Sequence, residues 1–130
     1  MGRRLSIVTL ASSDLHRSLR FYRDGLGFSS HGIAAPEHGG SHVAFEIEGG
    51  MTLVLFDRSA LDALAPGGAP DAGGAILSLQ VDSSAEVDVV LAAVVASGGR
   101  IDRRATEESF GYHGHFRDPD GHLWEAVWFR

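Results

Sequence analysis

The chain has 130 residues, 44% hydrophobic and 22% charged, enough for one domain of ordinary size or two small modules sharing a core. All 11 basic residues are Arg, and Lys, Asn and Cys are absent. That excludes Schiff-base and P-loop lysine chemistry, N-glycosylation, disulfides, a thiolate nucleophile and Cys-based zinc sites. The formal charge of −6 is offset by no basic run and argues against nucleic acid as a partner. No apolar stretch approaches the roughly 18 residues of a membrane span. The opening Met1-Gly2-Arg3-Arg4 leads into alternating structure without a signal-like apolar region, which predicts a cytoplasmic protein.

Residues 5–11 read as a strand with β-branched residues at its centre. Ser12, Ser13 and Asp14 are helix-start residues, and Leu15, Leu19, Tyr22 and Leu26 then recur at helical spacing until Gly25 and Gly27. Arg17, Arg20 and Arg23 form a solvated face. Residues 28–34 predict a weaker strand and 36–41 a loop. A hairpin follows, with strands near 42–48 and 51–57 turned at Gly49-Gly50. Residues 58–74 combine a short helical turn with a Gly/Pro-rich linker.

The same order then returns. Residues 75–81 read as a strand, Asp82-Ser83-Ser84 as a cap, and Val87, Val90, Leu91, Val94 and Val95 as a helix face ending at Gly98-Gly99. A weak strand over 100–105 and a loop over 106–111 precede a last hairpin, near 112–117 and 122–129, turned by Asp118-Pro119-Asp120-Gly121. The fold class is therefore α+β, a single domain over 1–130 built from two βαβββ modules (about 5–57 and 75–130, linker 58–74). Such modules predict an open, curved mixed sheet around a cleft with helices outside. Alternation assigns Val8, Leu10, Leu77, Leu79 and Val81 to the helix side, and Ile7, Thr9, Ile76, Ser78 and Gln80 to the cleft.

Val8-Thr9-Leu10, Asp14-Leu15, Ser18, Phe21-Tyr22 and Leu26-Gly27-Phe28 resemble the opening of vicinal oxygen chelate proteins. The segment from Asp118 to Glu125, Asp-Pro-Asp-Gly-His-Leu-Trp-Glu, resembles their closing hairpin. The superfamily includes glyoxalase I, extradiol dioxygenases, fosfomycin-resistance enzymes and bleomycin-binding proteins, and the resemblance spans nearly the whole chain. It implies a divalent metal held at positions that fall here on Ile7, Val54, Ile76 and Glu125. Val54 lies four residues past Gly50 and Glu125 four past Gly121, so the two hairpins agree on the counting. Aliphatic side chains offer no lone pair and a single carboxylate is a poor cage, so the expectation is no metal and no cofactor at this locus. A displaced site using His42, His113 or His115 is conceivable, since 113 and 115 share a strand face. No strong zinc spacing supports it, and surface or loop histidines are the reading adopted.

Glu125 is the catalytic candidate. Beside Ile7, Val54 and Ile76, desolvation would raise its pKa and suit it to acid/base work or to anchoring a cationic or hydroxyl-bearing ligand. The plainer alternative is a relic bonded to Ser78, Gln80 or Thr52. Tyr112, beside Phe110-Gly111, is either a pocket lip that clasps a planar ligand or ordinary packing. Trp124 and Trp128 share the strand face opposite Glu125 and read as core or dimer contacts. The ligand-binding candidates are Ile7, Thr9, Val54, Ile76, Ser78, Gln80, Tyr112 and Glu125. Together these predict a glyoxalase/bleomycin-resistance-like small-molecule binding protein, metal-free and, by the resemblance, a homodimer. The alternative is a lyase- or dioxygenase-type enzyme using Glu125 or a displaced metal.

Overall fold

A computed structural model describes residues 2–34, 40–67 and 73–130. The chain divides into two compact units, Met1–Asp71 and Ala72–Arg130. The expected loop over 36–41 and the Gly/Pro end of the linker lie largely outside the described residues. No described helix is long and apolar enough to cross a membrane.

In the first unit, β1 (Ile7–Ser12) runs parallel to β3 (Met51–Asp57), which pairs antiparallel with β2 (His42–Ile47). The sheet order is β1-β3-β2. Between β1 and β2 the chain forms α1 (Leu15–Leu19) and then a π-helical turn over Arg20–Gly25. Asp14 caps α1 by accepting from the Arg17 N–H at 3.1 Å. The expected single helix widens at its end, where Leu26 N–H reaches the Phe21 carbonyl at 3.0 Å. This turn accompanies full burial of the adjacent rings of Phe21 and Tyr22, which meet edge to face at 4.9 Å. Val43, Phe45, Leu53 and Leu55 are buried with them. α2 (Arg58–Leu64) follows β3 and is capped by Asp57.

The strand expected over 28–34 does not form. Only the isolated bridges Ser29–Glu46 and Ile33–Val43 occur there. Gly32 takes φ of 97°, and its N–H turns to the Ser30 hydroxyl at 3.1 Å rather than to a neighbouring strand.

In the second unit, β4 (Leu77–Gln80) is parallel to β7 (Leu123–Phe129), which pairs antiparallel with β6 (Gly111–Arg117) and through it β5 (Arg100–Glu108). The order β4-β7-β6-β5 repeats that of the first unit with one strand added. α3 (Ser84–Ala96) starts at the Ser83 cap and packs Val87, Leu91 and Val94 on the sheet. β5 is longer than expected. Its polar run Arg-Ile-Asp-Arg-Arg-Ala-Thr-Glu-Glu has no strand-like alternation, because register shifts between Ile101 and Arg103 and between Arg103 and Thr106 break the period.

Candidate functional site

The turn after β6 sets the site's geometry. Asp118 Oδ1 accepts from the N–H groups of Asp120 at 3.0 Å and His122 at 2.8 Å, and Gly121 N–H reaches the Asp118 carbonyl at 2.9 Å. The hairpin therefore closes with Arg117 opposite Leu123, which puts His115 opposite Glu125. On the other side of β7, Ser78 of β4 also lies opposite Glu125. Directly paired residues share a face, so Ser78, Glu125 and His115 project together, with His113 two residues along. Gly114 and Phe116 take the helix side. Phe116 stacks on Trp124 at 6.0 Å, and a Cβ at Gly114 would lie 2.8 Å from Leu91 Cδ1.

Glu125 is held at both oxygens. Ser78 donates its hydroxyl to Oε1 at 2.7 Å, and His113 Nδ1 lies 2.7 Å from Oε2. His115 Nε2 stands 3.9 Å from the same Oε2. One ligand atom from each of His113, His115 and Glu125 lies within 4.8 Å of the other two. The His113 side chain is 9% exposed, whereas those of His115 and Glu125 are each 18% exposed. Phe110 covers His113 edge-on at 5.0 Å. His113 Nε2 is buried without a hydrogen-bond partner, and Glu108 Oε1 is 3.7 Å away, itself 3.6 Å from an Arg103 guanidinium nitrogen.

Burial pushes the Glu125 carboxyl upward, but hydrogen bonds from His113 and Ser78 and the nearby imidazoles outweigh it. The net shift is downward, opposite to the rise expected from aliphatic surroundings. The bond to Ser78 that the plainer sequence reading foresaw is present. The one to His113 was not foreseen.

Ser78 and Glu125 are thus brought together. Tyr112 is not among their neighbours: it projects toward α3, where its hydroxyl donates to Asp88 Oδ1 at 2.9 Å. Ile76, just ahead of β4, is 54% exposed, and Gln80 is exposed on the Ser78 face. In the first unit Ile7 and Thr9 are exposed on β1, and Val54, paired with Thr9, is half-buried. The donor set Ile7, Val54, Ile76 and Glu125 does not fit a metal. His113, His115 and Glu125 do form a donor set, so the metal-free expectation is unsupported, and of the histidines weighed for a displaced site His113 and His115 come together. Nor are the histidines all superficial, since His113 and His122 are buried. His42 lies in the other unit, stacked on Phe56 at 5.0 Å. The missed signal was available, because the turn residues alone fix the pairing of 115 with 125.

Residues 4–126 match the family described as the Glyoxalase/Bleomycin resistance protein/Dioxygenase superfamily. No curated protein matches the chain. Among solved structures, the chain is similar to a glyoxalase-related enzyme from Fulvimarina pelagi, with 26% identity, a TM-score of 0.85, and 97% of this chain and 88% of that one covered. A lactoylglutathione lyase from Agrobacterium tumefaciens shares 24% identity, with a TM-score of 0.72 over 98% of this chain and 94% of that one. TnmS3, an antibiotic binding protein from Streptomyces sp. CB03234, shares 23% identity, with a TM-score of 0.72 over 98% of this chain and 97% of that one. The last two likenesses concern the fold alone.

Proposed function

Because the chain belongs to the glyoxalase/bleomycin resistance protein/dioxygenase superfamily, we propose that it binds a small molecule on the sheet face carrying Glu125. One observation carries the reading: a carboxylate held by Ser78 and His113 yet 18% exposed, on the face away from α3. Such a group is fixed in orientation and keeps lone pairs for a ligand's cationic or hydroxyl group. The fold is shared by an antibiotic binding protein, a lactoylglutathione lyase and a glyoxalase-related enzyme, so it accommodates both small-molecule binding and catalysis. Binding is favoured over acid/base chemistry by the direction of the Glu125 shift. A general base works best with a pKa near the operating pH, and this carboxyl is moved away from it. The reading includes a homodimer in the cytoplasm with no nucleic-acid or membrane partner, on the strength of the resemblance and the composition.

The test is a thermal-shift screen of cationic and polyhydroxylated small molecules in the presence of a chelator, followed by calorimetry on wild type and Glu125→Gln. A charged hydrogen bond contributes about 1.5–3 kcal/mol, so the substitution should weaken a genuine ligand by at least about tenfold. Equal binding by both proteins would overturn the assignment.

A further inference from the structure

We propose that His113, His115 and Glu125 form a site for a divalent first-row transition-metal ion, with zinc the leading candidate. The site shares Glu125 with the ligand face described above but does not depend on any small molecule binding there. Of the positions implied by family resemblance it uses only Glu125, the one that can donate a lone pair, and its two imidazoles come from positions outside that set.

Two imidazole nitrogens and one carboxylate oxygen are a donor set that suits zinc and its neighbours. Four-coordinate bonds of about 2.0–2.1 Å place ligand atoms roughly 3.4 Å apart. The distances to Glu125 Oε2, 2.7 Å from His113 Nδ1 and 3.9 Å from His115 Nε2, straddle that value. Small side-chain rotations would equalise them, because all three residues stand on the paired strands β6 and β7.

The second observation is the orphaned nitrogen of His113. A neutral ring that donates Nδ1–H to Glu125 leaves the Nε2 lone pair buried with no donor to satisfy it. A metal on Nδ1 reverses the tautomer. The ring proton then sits on Nε2, facing the Glu108 carboxylate 3.7 Å away, which Arg103 in turn approaches. A carboxylate behind a metal-bound imidazole is the arrangement that fixes ring orientation and raises ligand basicity. His115 and Glu125 retain some exposure, so an ion can enter from solvent, and three protein ligands leave a coordination position open.

The experiment uses the full chain, stripped with EDTA and then titrated with ZnCl2 by calorimetry and with CoCl2 by visible absorption. One ion per chain should bind, with cobalt bands of a low-coordinate nitrogen/oxygen site. His115→Gln, which leaves the Glu125–His113 contact intact, should weaken binding by at least about tenfold, since even outer partners of a metal ligand alter affinity by about 10–100-fold. His42→Ala, in the other unit, should bind as wild type does. Circular dichroism establishes that each variant is folded, and His115→Ala substitutes if His115→Gln is not. Absence of a saturable site in wild type, or zinc affinity unchanged by loss of His115, overturns the proposal. A metal-free chain that still binds a small molecule through Glu125 would defeat this site and leave the binding reading intact. A zinc-loaded chain with no small-molecule ligand would do the reverse.

Discussion

Glu125 depends on which neighbours the folded register gives it. Within its own unit it faces a hydroxyl and two imidazoles rather than a wall of aliphatic carbons. Its folded pKa therefore lies below the unfolded value, and the carboxylate form stabilises the fold. That contribution is fully present above the unfolded carboxylate pKa and is lost as pH falls through the folded one. Glu125→Gln, in metal-stripped protein at neutral pH, should accordingly cost about 1–3 kcal/mol, the scale of a charged hydrogen bond broken at a partly buried site. Urea melts across the acidic range should show the gap between variant and wild type closing as pH drops. A variant more stable than wild type at pH 7 would mean that desolvation outweighs the two bonds. At this scale the sequence offered Ser78 as one of three partners for the carboxylate, and the sign of the shift needed the hairpin register as well. The sign depends on His113, which is distant from Glu125 along the chain and comes near only through the hairpin pairing.

β6 is the element on which the site rests, and two glycines let it fit. At Gly111, with φ of 155°, a Cβ would fall 1.9 Å from the Trp128 carbonyl oxygen. At Gly114 it would meet Leu91 Cδ1 at 2.8 Å and the β5 backbone at 3.2 Å. Leu91 can yield, but the β5 backbone at its irregular register cannot do so cheaply. Gly114→Ala should cost about 1–3 kcal/mol, as for other overpacked interiors, and should loosen His113 and His115 on either side of it. A denaturation midpoint within error of wild type would show that α3 moves aside at little cost. The hairpins and the caps at Asp14 and Ser83 were legible because turn and capping chemistry is local. So were Val87, Leu91 and Val94 on α3, though Val95, read onto the same face, is 60% exposed. The continuation of β5 through residues 106–108 and the failed strand over 28–34 were not legible. The first gains its conformation from pairing with β6, and the second loses it to the Ser30–Gly32 bond.

At the scale of the whole molecule, exposed apolar side chains predict self-association. Phe129 and Phe110 are 50% and 44% exposed, with their rings 6.1 Å apart, and together they make a continuous apolar spot beside the site. Trp124, which strand alternation marks as either a core or a dimer contact, is 3% exposed and belongs to the core. β1 and β4 are each the end strand of their sheet, and unpaired strand edges are commonly covered. The proposed homodimer should show twice the chain mass by light scattering at micromolar concentration. Each copy carries a formal charge of −6, so two copies repel. Salt screens that repulsion over a Debye length of about 10 Å at 0.1 M and leaves apolar contact unharmed. The dimer should consequently tighten as ionic strength rises, and Phe129→Ser should shift the balance toward single chains at every salt concentration. A monomer mass for wild type at both low and high salt would refute the dimer. Association that weakens with added salt would show that charge pairing, rather than the Phe110–Phe129 surface, holds the copies together.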